Sequence, residues 1–496
     1  MPGSFSKSAL RGLITAAILA AVLAAGPSGA DAKPAQAAKP RLTTSPTVFP
    51  AFSWKKRDYV VRCARSKNPR ARIVVPRGWQ ARIAGSTFHA RNFSHKLNSG
   101  ESAGTWFSVR RKGSRKSRSF HIRCLPADFP AFRFSRYRSG GPRLMFAQIE
   151  NEYAVFFDRH GVPVWWMKNV VPPLNPQVLP DGTISYLSLD TTGPRNLVSY
   201  VIRNLNGRLI RTILPAGGLL TDAHELRLLP NGNYLIGAFR QQNALDASAF
   251  GGSSHAVALS LQLQQLKPNG KLVWKWNSTG HIKLGESGRW WNNFTTNGEP
   301  YDLVHFNSAD LDGNSLVMSF RHLDAVIKVS KKTGKIVWKL GGTNTPKNLK
   351  VLGDPLRTYP FGGQHDARLD NRGYLSVFDN GTNLNRPPRV VRYRIDQKTG
   401  TATLVSSFTD PRVQLSACCG SARRLPGGGW LVNWGGIGPT SDYGHYGLIG
   451  AYTGKGKPIF RLRVKGTHPY RVQPITGRYP QLGRLRNGMD TIDRNS

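Results

Sequence analysis

Beyond residue 45 the chain is written in short apolar bursts with polar breaks. DYVVRC, ARIVV, WQARIAG, TWFSVRR and SFHIRC alternate β-branched or aromatic residues with polar ones. Gly, Asn, Asp and Pro punctuate the bursts. A period of two with such turns predicts strands, and helix-period stretches are nearly absent after the leader. From about residue 144 two pieces recur in alternation. The first is a hairpin with an Asn/Asp/Gly turn: VLPDGTISYL, LLPNGNYLIGAF, DLDGNSLVMSF, LDNRGYLSVF and RLPGGGWLVNW. The second follows each: RNLNGRLIRTI, LKPNGKLVWKW, KKTGKIVWKL, QKTGTATLVSS and YTGKGKPIFRL. An early copy, FFDRHGVPVWWM, spans Phe156 to Met167. Two hairpins make a four-stranded unit, and about six units predict a six-bladed β-propeller over 139–475. The early copy and the C-terminal tail are expected to share the closing blade. Residues 46–138 read as a small β-sandwich-like domain. Pro126, Pro130 and SRYRSGGPR form the connector, and 476–496 is a C-terminal tail. The predicted fold class is all-β.

Residues 1–32 change the picture of location. Lys7 and Arg11 precede an uncharged apolar run from Leu13 to Ala25, followed by Ala30-Asp31-Ala32, a small-x-small cleavage pattern. A signal peptide, a linker over 33–45 and an exported or envelope protein are expected, with no later transmembrane span. Charge adds a partner class. With 70 Lys/Arg against 27 Asp/Glu the chain carries a net +43, a field that draws anions. The basic residues are spread along the chain, and no zinc finger, helix-turn-helix or RNP signature accompanies them, which argues against nucleic acid. The densest run, Arg110 to Arg123, holds seven Lys/Arg and suits a solvated face or an anionic cell-wall polymer. Of four cysteines, Cys63 and Cys124 flank the N-terminal domain and are expected to form a disulfide. Adjacent Cys418 and Cys419 permit two thiols or a strained vicinal disulfide.

Aligning the repeats on their turn glycine exposes a constellation. His224, His305 and His365 stand eight residues before Gly232, Gly313 and Gly373. Equivalent inner-strand positions of a propeller face one channel mouth. Alternation places Asn307 on the face of His305. Pivoting the hairpin at Gly313 sets Arg321 opposite His305. Glu225 and Asp366 are expected on the opposite face, as structural residues. The insert GESGRWWNNFTTNGEPYD offers Trp290, Trp291 and Phe294 as an aromatic wall. Three imidazoles could hold zinc. Arg321 beside them and the lack of a carboxylate on that face argue against it, so no metal is expected.

The segments LVHFNSADLDGNSLVMSFRHLDAVIKVSKKTGKIVWKLGG (Leu303 to Gly342) and FGGQHDARLDNRGYLSVFDNG resemble the bacterial arylsulfate sulfotransferase family. Its members are exported six-bladed propellers that move a sulfuryl group between phenols. The resemblance runs from about 144 to 470. It implies that His365 is a nucleophile that becomes transiently sulfated. It also implies that His224, His305, Asn307 and Arg321 bind the sulfuryl oxygens. The family's sixth blade supplies a hydroxyl residue, for which Ser421 in SACCGSARRLPGG is the nearest match. A phenolic sulfate donor, a phenol acceptor and no cofactor follow. The absence of a Walker-type phosphate loop agrees with a donor that is not a nucleotide. The alternative is a non-catalytic propeller binding anionic envelope polymer or a protein.

Overall fold

The computed structural model describes residues 38–83, 85–98, 104–149, 152–168, 173–190, 197–437, 446–466 and 469–492. The leader expected over 1–32 lies outside the described residues, as does the linker up to residue 37. Among the described residues no helix is long and apolar enough to cross a membrane. The fold is all-β and of propeller type.

Six sheets carry the repeats. The first joins Leu144–Ile149, Tyr153–Asp158 and Pro163–Lys168 to Val472–Ile475, so the early copy shares its sheet with a strand that ends just before the tail read over 476–496. The next five are built on antiparallel meanders that begin at Leu174–Val178, Leu220–Leu228, Phe306–Asp312, His365–Leu369 and Ser421–Arg424, and two of them gain a short parallel strand. Those five strands and Val472–Ile475 lie side by side and close into a ring. Strands of the first sheet are covered on both faces, and Tyr153–Asp158 is buried at every position. Such a strand reads as a continuous apolar run. The strand Thr401–Phe408, far from the ring centre in its sheet, instead alternates in and out. The turn glycines used for alignment are required by backbone shape: Gly232, Gly313 and Gly373 have φ of 78°, 57° and 78°.

Two further sheets precede the ring. Arg41–Ser45, Arg70–Val74 and Phe93–Lys96 form one, and Asp58–Val61, Arg118–Cys124, Thr105–Arg111 and Trp79–Ile83 the other. Leu42 and Ile73 from one share a core with Tyr59, Trp79, Phe107 and Phe120 from the other. Cys63 and Cys124 are disulfide-bonded, with Cα atoms 5.3 Å apart. Three elements depart from the expected division of the chain. Arg41–Ser45, in the segment read as linker, is a strand paired with Arg70–Val74. Phe132–Arg136, read as part of the N-terminal domain, adds a strand to the sixth ring sheet by pairing with Pro458–Lys465. The tail contains a helix, Leu482–Asp490, that buries Leu485 and Met489. Its glycines and arginines gave no helical period to read. Arg486 chelates Asp58, and Asp490 accepts from Arg123, so the helix ties the N-terminal strands to the chain's end.

Candidate active site

Each of the three aligned histidines stands where the inner strand is irregular. His224 lies inside a register shift between Thr221 and Leu226. His305 precedes its strand with φ of 45°, and its carbonyl accepts the Arg321 N–H at 2.9 Å. His365 opens its strand opposite Phe378, followed by Asp366 at φ of 57°. Irregularities of this kind re-aim side chains toward a sheet end. The rings converge: His224 and His305 are 4.8 Å apart by centroid, and Tyr470 lies 5.8 Å from His224 and 6.4 Å from His365.

What lies behind each ring separates them. Nδ1 of His365 faces the Asn380 Oδ1 at 2.9 Å and the Gly363 carbonyl at 3.0 Å. The Asn380 amide nitrogen is held by Ser416 Oγ and the Cys419 carbonyl, which fixes its oxygen toward the ring. Both partners can only accept, so Nδ1 carries the proton. Nε2 is the lone-pair atom, and it accepts the Cys419 N–H at 3.2 Å. Burial first, then the Arg321 charge, hold the His365 imidazole well below its ordinary value. It is a neutral base with its reactive nitrogen chosen. His224 and His305 are backed by carboxylates instead: Nδ1 of His224 meets Asp222 Oδ1 at 3.0 Å, and Nδ1 of His305 bonds Asp302 Oδ2.

Arg321 starts a 3-10 turn directly after its strand. It donates to the Ala417 carbonyl at 3.1 Å and to Nε2 of His322 at 2.6 Å, and its guanidinium lies 4.4 Å from the Trp290 ring. Asp302, His305, Arg321 and His322 share a cleft of about 470 Å³ with Trp290, Phe294 and Thr382. Burial opposes the charge on Asp302, but the surrounding imidazoles, His305 foremost, take its carboxyl well below the usual range.

Other sequence-derived residues fall elsewhere. Asn307 is fully buried; its amide donates to the Gln364 carbonyl at 2.7 Å and accepts the Asp366 N–H at 3.3 Å. A register shift between Phe306 and Ser308 breaks the alternation that set it beside the His305 ring. It grips the backbone on either side of His365 instead. The Ser421 hydroxyl is buried against the Val472 backbone. Trp291 stacks on Phe250 at 4.8 Å and bonds the Leu284 carbonyl, outside the residues that line the cleft. Glu225 and Asp366 turn away from their histidines into an ionic cluster with Arg368, Arg423 and Arg471.

The sequence reading missed Asp222, Asp302, His322 and Asn380. A signal existed in the spacings D-A-H and D-L-V-H, which put an acid within one turn of two histidines and none before the third. The expectation that no carboxylate shares the histidine face is corrected by Asp302. With His305 and His322 it makes a trio whose ligand atoms lie within 4.8 Å. The protons argue against a cation there. Arg321 donates to Nε2 of His322, so Nδ1 of that ring carries a proton, which it gives to the Asp302 carbonyl at 2.6 Å.

A family model described as Arylsulfotransferase (ASST) matches residues 135–469. No curated protein matches the chain. Among solved structures, a quinonprotein alcohol dehydrogenase-like protein from Bacteroides thetaiotaomicron is 11% identical, with a TM-score of 0.35 over 86% of this chain and 98% of that one. Citrobacter koseri AztD is 10% identical, with a TM-score of 0.32 over 68% and 98%.

Proposed function

Because this chain belongs to the arylsulfotransferase (ASST) family, we propose that it transfers a sulfuryl group from a phenolic sulfate ester to a phenol through a sulfohistidine at His365. The observation that carries this reading is the difference in backing among the three histidines. Nδ1–H of His365 rests on two neutral acceptors, and Nε2 faces the Cys419 N–H. Attack by Nε2 on sulfur leaves a cationic sulfated ring. Neither Asn380 nor Gly363 can take its remaining proton, so the ring stays a good leaving group for the second transfer. A carboxylate behind it would stabilise the cation and slow that step.

The sulfuryl group in transit spreads negative charge over its oxygens. Arg321 is the fixed donor for it, with the His224 and His305 imidazoles beside it. The Cys419 N–H, displaced from Nε2 as the N–S bond forms, is left to donate to a sulfuryl oxygen. Asn307 serves by fixing the backbone around His365. Trp290 and Phe294 supply the wall for the aryl ring. The donor is a sulfate ester and no cofactor takes part, in keeping with a sequence that has no phosphate loop. The leader pattern and the Cys63–Cys124 disulfide support export to an oxidising compartment.

Incubation with 4-nitrophenyl sulfate and no acceptor tests the mechanism. Wild type should release a stoichiometric burst of 4-nitrophenol and gain one sulfuryl group on His365, and His365→Ala should do neither. Release only when an acceptor phenol is present would replace the covalent route by direct transfer.

A further inference from the structure

We infer that Asp302 and His305 form the acid–base pair that exchanges a proton with the phenolic oxygens. The inference rests on the sulfotransferase reading and goes beyond it by giving the proton a carrier. Holding sulfuryl oxygens needs only a donor. An oxygen that leaves as a phenolate of pKa about 10 also needs a proton, and an attacking phenol must lose one.

The geometry selects His305 over its two companions. His365 is occupied as nucleophile, and behind its Nδ1 stand only an amide and a carbonyl. His224 has a carboxylate behind it, but it lies toward Tyr470 and outside the residues lining the aromatic cleft. His305 has both properties. Asp302 accepts from its Nδ1–H and, through its other oxygen, from its backbone N–H at 3.2 Å. One carboxylate thus fixes tautomer and ring orientation together, leaving Nε2 as the titrating atom. The ring also lines the cleft with Trp290, Phe294 and Arg321, the side on which the aryl group would sit. His322 is excluded as the shuttle because Arg321 and the Asp302 carbonyl engage both of its nitrogens.

The steps balance as follows. His365 Nε2 bonds to sulfur, the S–O bond to the aryl group breaks, and its electron pair stays on the phenolic oxygen. That oxygen takes the proton from His305 Nε2. In the second half the acceptor phenol gives its proton to the neutral His305 Nε2 as its oxygen bonds to sulfur. The N–S electron pair returns to His365. Both imidazoles end as they began. His305 is surrounded by Asp302, which favours its protonation, and by His224, His322 and Arg321, which oppose it. Burial first holds the resting imidazole low. A sulfate ester brings its negative charge into the same cleft and favours uptake of the proton that the first half-reaction spends.

Leaving-group dependence tests the pair. 4-Nitrophenyl sulfate releases a stabilised phenolate that needs little acid, whereas 4-methylphenyl sulfate releases a basic one. Asp302→Asn and His305→Gln should slow transfer from the methyl ester by about 10²–10⁴-fold, the usual reach of acid–base catalysis. Transfer from the nitro ester should suffer far less. Asp222→Asn should slow both donors by one common factor. The ratio between donors is internal to each preparation, so a partly folded variant does not obscure it. Equal losses on both donors would reduce His305 to an oxyanion donor and overturn the inference alone. No transfer by wild type from either donor would instead overturn the sulfotransferase reading beneath it.

Discussion

Arg321 does two separable things to His365. In the proposed transfer it offers paired N–H donors to the sulfuryl oxygens, and its charge joins burial in keeping the imidazole unprotonated. Arg321→Lys keeps the charge and loses the fork, so kcat/KM for 4-nitrophenyl sulfate should fall on the order of 10²–10³-fold. The acid limb of its pH profile should stay in place. Arg321→Gln removes the charge as well. The pKa of His365 should rise, and activity should begin to fail at a higher pH as the solution is acidified. A pH series on the three proteins separates the effects; an unmoved limb in the Gln variant would deny Arg321 its electrostatic role. The histidines and Arg321 were legible because equal spacing from a turn glycine is preserved wherever the turn is. Asn380 was not, since it reaches His365 only across neighbouring strand ends. Cys419 acts through its backbone N–H, which leaves no mark in side-chain identity.

At the scale of elements, the carboxylates beside two of the histidines anchor the inner strands. Asp366 is fully buried and engaged by Arg368 and Arg423, with Arg471 nearby; Glu225 takes Arg368 and Arg471. Three cations from different sheets therefore meet two carboxylates at the centre of the ring. Their opposite facing from the histidines was readable from alternation, but their partners, far away in sequence, were not. Removing one charge leaves buried arginines uncompensated, so Asp366→Asn should cost about 3–5 kcal/mol in denaturant unfolding. Burial opposes the charge on Asp366, yet Arg423, Arg368 and Arg471 depress its folded pKa. For a depressed acid the stabilisation is present above the unfolded value and is lost as pH falls toward the folded one. Wild-type stability should accordingly fall below about pH 4, and the Asn variant should show a shallower acid slope. A variant as stable as wild type at pH 7 would make the cluster ornamental.

Ring closure and charge belong to the whole molecule. The repeats were legible because each unit restates the same turn chemistry. The strand Phe132–Arg136 and the helix Leu482–Asp490 repeat nothing, and their places follow from what they pack against. The charge follows from composition alone, and it bears on rate. The chain carries a net +43, and in the proposed reaction the donor is an anion and the acceptor a neutral phenol. Long-range attraction raises the encounter rate of the anion, and salt screens it as the Debye length shrinks from about 10 Å at 0.1 M to about 3 Å at 1 M. A double-displacement enzyme reports its two substrates separately, since kcat/KM for each describes only its own half-reaction. Raising sodium chloride across that range should lower kcat/KM for the aryl sulfate while leaving kcat/KM for the phenol nearly constant. His365 is buried and Arg321 lines a recessed cleft, so added ions reach the reacting groups little and kcat itself should change little. Equal salt dependence for both substrates would place the effect in the chemistry of the site, and the excess of basic residues would then have no part in capturing the donor.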